Sequence, residues 1–211
     1  DRGDTSAEPD LNRITDAARN MLSMLTELLD LSRIEADRLE INAESFEVEE
    51  VFLSAAAAAR SSALGHNADL RVVAPHNLGQ ATTDQNRLRQ CILNTLTHAS
   101  RRSHGGAFSL RAARTHDTLS FEIHDCGRAL TPAQMSGLFE PFLREDDERL
   151  SGARLGLAVT RKLAELMGGS FEVSQLDTGC RYVLTVPAYI DANRIVVHDD
   201  TPLARPQRAA A

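Results

Sequence analysis

The chain has 211 residues, 42% of them hydrophobic, and a formal net charge of −7. That supports one packed domain of ordinary size plus an appendage and excludes a chain disordered throughout. The acidic balance argues against nucleic acid as the main partner, and there is no run of about 18 apolar residues to span a membrane.

Residues 1–10 are polar and acidic, unlike a signal peptide, and are expected to be frayed. From 11 to 39 there is neither proline nor glycine. Ile14, Ala18, Met21, Leu25 and Leu28 follow an alternating 4-3 spacing that continues through Ser32 and Glu35 to Leu39. Leu11, Leu22, Leu29 and Ile34 widen this stripe. Such a pattern predicts a long helix, either packed on its own domain or paired with a second copy through residues 11–40. A short strand at 46–48, an Ala-rich helix at 49–64 and a strand at 69–73 follow. The segment 84–100 reads as a helix. Residues 106–114 and 118–125 read as a hairpin turned at His116–Asp117. A helix at 155–167 is stopped by Gly168–Gly169. A last hairpin, 171–174 with 181–186, turns at Asp177–Thr178–Gly179. After Pro187 the pattern decays, and 191–211 reads as a disordered tail or linker. The three cysteines, Cys91, Cys126 and Cys180, show no CxxC spacing and fit a reduced, cytoplasmic protein.

The order of elements predicts an α+β fold: a two-layer sandwich with a mixed sheet packed on helices. On the 84–103 helix, Leu88, Cys91, Ile92, Thr95, Leu96 and Ala99 form one face. Arg87, Asn94, His98 and Arg101 recur at three, four and seven on another. That row either looks into one cleft or is an ordinary solvated face. In the strand before Cys126, Leu119, Phe121 and Ile123 alternate with polar neighbours. Asp125 shares their parity, so its carboxylate points inward and needs a donor, unless it caps a turn. Gly152-Ala153-Arg154-Leu155-Gly156-Leu157 is a glycine-containing stretch at a helix start, a place that suits phosphate binding or is simply a loop.

Four segments occur in a telling order: DQNRLRQCILNTLTHASRRS (84–103), HDCGRAL (124–130), LFEPFLR (138–144) and SGARLGLAVTRKLAELMGG (151–169). They resemble the N, G1, F and G2 boxes of the ATP-binding domain of sensor histidine kinases. ELLDLSRIEADRLEI (27–41) resembles the end of the second dimerisation helix of that family. The resemblance implies a dimerisation helix at 11–42 and an ATP-binding catalytic domain at 43–190. It implies ATP and Mg²⁺ as ligands, and γ-phosphoryl transfer to a histidine with a response regulator or receiver domain downstream. Asn94 matches the first asparagine of the N box and a Mg²⁺ ligand, and Arg101 its phosphate-binding cation. Asp125 matches the adenine acceptor and Gly127 the first G1 glycine; Gly152 and Gly156 match two G2 glycines. Phe139 and Phe142 match packing residues of the F box, and 145–149 is a charged lid segment.

Three positions depart from that pattern. His98 stands where a second asparagine holds the metal; an imidazole nitrogen is a poor ligand for Mg²⁺. Ala129 replaces the second G1 glycine. Arg154 replaces the middle G2 glycine and either reaches a phosphate or blocks the pocket. These changes predict weakened ATP and Mg²⁺ binding. They also raise an alternative: a dimeric regulatory pseudokinase without turnover. A gyrase- or chaperone-type ATPase is a third reading, disfavoured by the coiled-coil-like helix. None of the seven histidines lies in the 11–40 helix. The phospho-accepting histidine is therefore expected on a helix outside this chain, which reads as the cytoplasmic part of a longer sensor.

Overall fold

The computed structural model describes residues 7–64, 67–73, 77–140 and 148–190. In chain order the elements are α1 (Ala7–Glu35), β1 (Glu44–Glu47), α2 (Val48–Leu64), β2 (Asp69–Val73), β3 (Gln80–Thr83) and α3 (Gln85–Arg102). There follow β4 (Ala107–Thr115), β5 (Thr118–His124), α4 (Pro132–Ser136), α5 (Glu148–Leu166), β6 (Ser170–Gln175) and β7 (Cys180–Pro187). The tail at 191–211 and residues 1–6 lie outside the described residues. Helix α1 starts at Ala7, within the stretch expected to be frayed.

Five strands form one sheet in the order β2-β4-β5-β7-β6. Only β2 and β4 run parallel; the other neighbours are antiparallel, so the sheet is mixed as expected. The period-2 pattern of β5 explains why one face is covered. Leu119, Phe121 and Ile123 are fully buried, whereas Ser120, Glu122 and His124 are half-buried. Each such apolar side chain contributes roughly 1.5–3 kcal/mol on burial. Helices α3 and α5 pack against each other and against the sheet, and α2 packs on α3. The small ribbon β1–β3 is tied to the end of β7 where Thr82 N donates to Ala188 O at 2.7 Å.

Five local details differ from expectation. Helix α1 stops at Glu35 instead of running to 39, because Asp37 takes a left-handed conformation with φ 51°. Arg38 N then bonds back to Arg33 O at 2.8 Å, a Schellman-type stop. Strand β3 and helix α4 escaped the sequence reading: QATT is short and half polar, and α4 is a five-residue turn with a Thr131–Gln134 capping box. Strand β1 spans Glu44–Glu47, and Val48 already belongs to α2. Helix α5 begins at Glu148, not at 155. A glycine-rich loop would resist winding, since each glycine costs about 1 kcal/mol relative to alanine in a helix. Arg154, in place of the middle glycine, lowers that resistance, while Gly152 and Gly156 remain within the helix.

Candidate functional site

Helix α3 is the floor of the site. Asp84 starts it: Oδ1 accepts from Arg87 N at 3.0 Å, and Oδ2 accepts from Asn42 N at 2.9 Å. One carboxylate therefore caps the helix and pins the connection from α1. The expected apolar face, Leu88, Cys91, Ile92, Thr95, Leu96 and Ala99, is buried.

The loop after β5 begins with Asp125, buried as its parity requires. Its Oδ1 accepts from Gly127 N at 2.8 Å and Cys180 N at 3.2 Å. Its Oδ2 accepts from Tyr182 Oη at 2.6 Å and from Arg102 Nε at 2.7 Å. The Arg102 and Asp125 side chains are 5% and 0% exposed, so this ion pair is buried. Arg102 continues to Arg128 O at 2.6 Å and Cys180 Sγ at 3.6 Å. The loop lies so close on α3 that a Cβ at Gly127 would come within 2.9 Å of Arg102 O. Burial and the charge of Asp125 push the Tyr182 hydroxyl well above its ordinary pKa, so it stays a donor.

The other predicted residues separate into two groups. Asn94 Nδ2 donates to Gly156 O at 3.2 Å, and a Cβ at Gly156 would stand 3.3 Å from Asn94. Gly156 thus lets α5 approach α3 closely. His98 is 2% exposed, its ring edge-on to Tyr182 with centroids 5.7 Å apart. Neither ring nitrogen has a hydrogen-bond partner among the described residues. Burial lowers its pKa from 6.5 to about 3, with Arg102, Arg101 and Arg154 adding to the effect and Asp125 opposing it. Arg154, in α5, is buried and its Nη1 donates to Gly137 O at 3.5 Å. Gly152 lies in the same helix, past its first four residues, and N–H groups beyond that first turn are engaged by the helix itself. Ala129 is exposed in the loop after Gly127. Phe139 packs edge-on to Phe171 with centroids 6.0 Å apart, and Arg161 lies over its ring. Phe142 and 141–147 lie outside the described residues.

Arg101 is half-buried, and burial lowers its pKa while Glu27 of α1 offsets part of that. Glu27 is itself buried, with Oε2 unpartnered among the described residues, and burial raises its pKa to about 7. One turn on, Asp30 Oδ2 accepts from Arg87 Nη1 at 2.9 Å and Gln90 Nε2 at 2.8 Å. With Leu31 and Ile34, these residues form an i, i+3, i+4, i+7 face of α1 turned to the domain. The apolar stripe read from the sequence lies elsewhere: Ile14 is 65% exposed, Met21 66% and Leu25 58%.

The sequence reading missed Arg102, Tyr182 and the acidic face of α1. Tyr182 carried a signal, since an inward tyrosine on the alternating strand β7 must find a partner for its hydroxyl. Arg102 stands four residues after His98 on α3, one helical turn along the same face.

Residues 83–190 match the family of histidine kinase-, DNA gyrase B-, and HSP90-like ATPases. The chain belongs to that family. Among curated relatives, the sensor protein TorS of Escherichia coli K12 is 27% identical over 215 residues, covering 93% of this chain and 23% of TorS. Full-length ShkA, solved in complex with AMPPNP, superposes with a TM-score of 0.70 at 23% identity over 87% of this chain and 39% of that one. ThkA, solved in complex with the response regulator TrrA, gives 0.66 at 16% identity over 90% of this chain and 53% of that one. The chain thus spans about a quarter of the length of TorS.

The ATPase family raises the question of Mg²⁺. Asn94 donates its amide N–H to Gly156, which leaves the amide oxygen as the donor that suits Mg²⁺, whereas His98 holds nitrogen, not oxygen, inside the core. Among the described residues no three His, Cys, Asp or Glu side chains gather as a metal site.

Proposed function

We propose that this chain is the ATP-binding portion of a two-component sensor histidine kinase. It donates the γ-phosphoryl of ATP to a histidine on a helix outside this chain, and a response regulator or receiver domain takes the group onward. The single observation that carries the reading is the family match over 83–190, the stretch that holds Asn94, Asp125, Gly127 and Gly156. The histidine-kinase relatives support it, as do the AMPPNP and response-regulator complexes among the neighbours.

In this reading each residue has a limited task. Asp125 is the buried acceptor for the base amino group. Gly127 lets the loop lie close to α3. Arg101, at the end of α3, neutralises phosphate charge. Phosphoryl transfer of this kind depends on positioning and charge neutralisation, not on a protein nucleophile in the domain. The chain divides into a dimerisation segment over 11–42, whose helix ends at Glu35, and a nucleotide-binding domain over 43–190, on the cytoplasmic side. No described helix is long and apolar enough to cross a membrane.

A melting experiment tests the reading. Nucleotide at 100 times its Kd adds about 2.7 kcal/mol of stability, so ATP raises Tm if the domain binds it. Labelled phosphate then appears on the histidine-bearing helix of the longer protein. A second reading, a regulatory module without turnover, is favoured by the full set of donors already on Asp125. It is distinguished by a Tm shift with no labelled product.

A further inference from the structure

Asp125 holds as many hydrogen bonds as a carboxylate can comfortably accept, about four. All four come from the protein: Gly127 N, Cys180 N, Tyr182 Oη and Arg102 Nε. The side chain is 0% exposed. Three of these donors cannot leave alone. Gly127 N and Cys180 N are backbone groups fixed by the loop and by β7. Tyr182 is fully buried in β7. Arg102 differs: it sits on the last turn of α3, on a long flexible stem, and its second anchor is the carbonyl of exposed Arg128.

We propose that Arg102 is an internal occupant of the base-recognition site, holding the Asp125 oxygen that an adenine amino group would take. The inference rests on the reading of Asp125 as base acceptor given above. A neutral amino donor does not easily displace a guanidinium from a buried carboxylate, because charge-assisted bonds are about twice as strong as neutral ones. While Arg102 stays in place, the exocyclic amino group of a purine gains nothing from Asp125. Arg102 thereby sets base selectivity: it suppresses the preference for an amino-bearing base, and its withdrawal restores it. Gly127 belongs to the same device, since a Cβ there would stand 3.1 Å from Arg102 Nη2.

The test compares ATP with inosine triphosphate, which carries a carbonyl in place of the amino group. Both are titrated calorimetrically into the full chain and into Arg102→Ala. The wild type is expected to bind the two with affinities within about threefold. The variant is expected to favour ATP by about tenfold or more, the scale of a hydrogen bond to a charged group. A wild type that already prefers ATP tenfold overturns the proposal and leaves the nucleotide-binding reading intact. Equal binding of both nucleotides by both proteins also overturns it, because Asp125 then reads no amino group in either. Failure of both proteins to bind either nucleotide removes the functional reading and this inference together. Should Arg102→Ala not fold, the wild-type ratio remains decisive, and Arg102→Met, which keeps the stem without donors, replaces the variant.

Discussion

Tyr182 Oη donates to Asp125 Oδ2 at 2.6 Å, tying the inward face of β7 to the loop that leaves β5. The bond closes a buried network in which a phenol and a guanidinium share one carboxylate oxygen. Tyr182→Phe keeps the ring and removes the donor. A hydrogen bond to a charged group contributes about 1.5–3 kcal/mol, and that is the expected loss on urea unfolding. Arg102→Ala leaves the buried carboxylate without its counter-charge and is expected to cost more, about 3–5 kcal/mol. Equal stability of Tyr182→Phe and wild type would show that the bond is not formed in solution.

Gly179 is where backbone geometry and the site meet. Its φ is +79°, and a Cβ there would lie 1.8 Å from Asp125 O. Gly179→Ala therefore has to move the β6–β7 turn or the Asp125 loop. The expected cost is more than about 2 kcal/mol, combining left-handed strain with a clash. Calorimetric melting checks it, and a Tm within a degree of wild type refutes it.

His98 makes stability depend on acid. Its folded pKa, about 3, lies below the ordinary 6.5 because burial disfavours the imidazolium, aided by Arg102, Arg101 and Arg154. Its contribution is complete above about pH 6.5 and is lost as pH falls toward 3. His98→Leu removes that titration while other groups remain. The variant is expected to lose less stability than wild type between pH 7 and 4, the difference reaching on the order of 2–4 kcal/mol. Parallel stability–pH curves would exclude His98 as the titrating group.

The clasp between α1 and α3 depends on Asp30. Its side chain is 5% exposed and accepts from both Arg87 and Gln90. Asp30→Ala is expected to cost about 1–3 kcal/mol and to speed amide exchange around residues 27–34. Glu27 acts with the opposite sign of pH. Burial raises its pKa from 4.5 to about 7, so its contribution is complete below about 4.5 and is lost as pH rises through 7. Glu27→Gln should remove that loss; unchanged exchange at pH 8 in the variant would speak against it.

The apolar stripe of α1 is exposed in a single copy, with Met21 66% and Leu25 58% accessible. A seam of this spacing is expected to pair with a second chain. Glutamate at Met21 and Leu25 together should halve the mass seen by light scattering. A wild type that is monomeric at high concentration removes the prediction.

Much of the fold was legible because local patterns decide it. The alternation of Leu119, Phe121 and Ile123 sets the strand, fixes its inner face and requires Asp125 to be buried. The apolar spacing of α3 sets the floor of the site in the same way. The box order alone pointed to the family. What the sequence left open are relations between segments far apart in the chain. Asp125 and Tyr182 are 57 positions apart, and Asp30 and Arg87 likewise, so no local periodicity connects them. Arg101 and Arg102 are adjacent and chemically identical, yet only Arg102 reaches Asp125. Helix rotation of about 100° per residue separates them, and only packing against the loop and β7 decides which one faces the carboxylate. His98 looked like part of a polar row, but the same packing places it against Tyr182, where its nitrogens meet no donor or acceptor among the described residues. The sequence by itself determined most of the elements and the inner faces of α3 and β5, because these follow from short-range periodicity, and its box order pointed to the family. Tertiary structure decided which charges meet, because that depends on how separate elements are brought together.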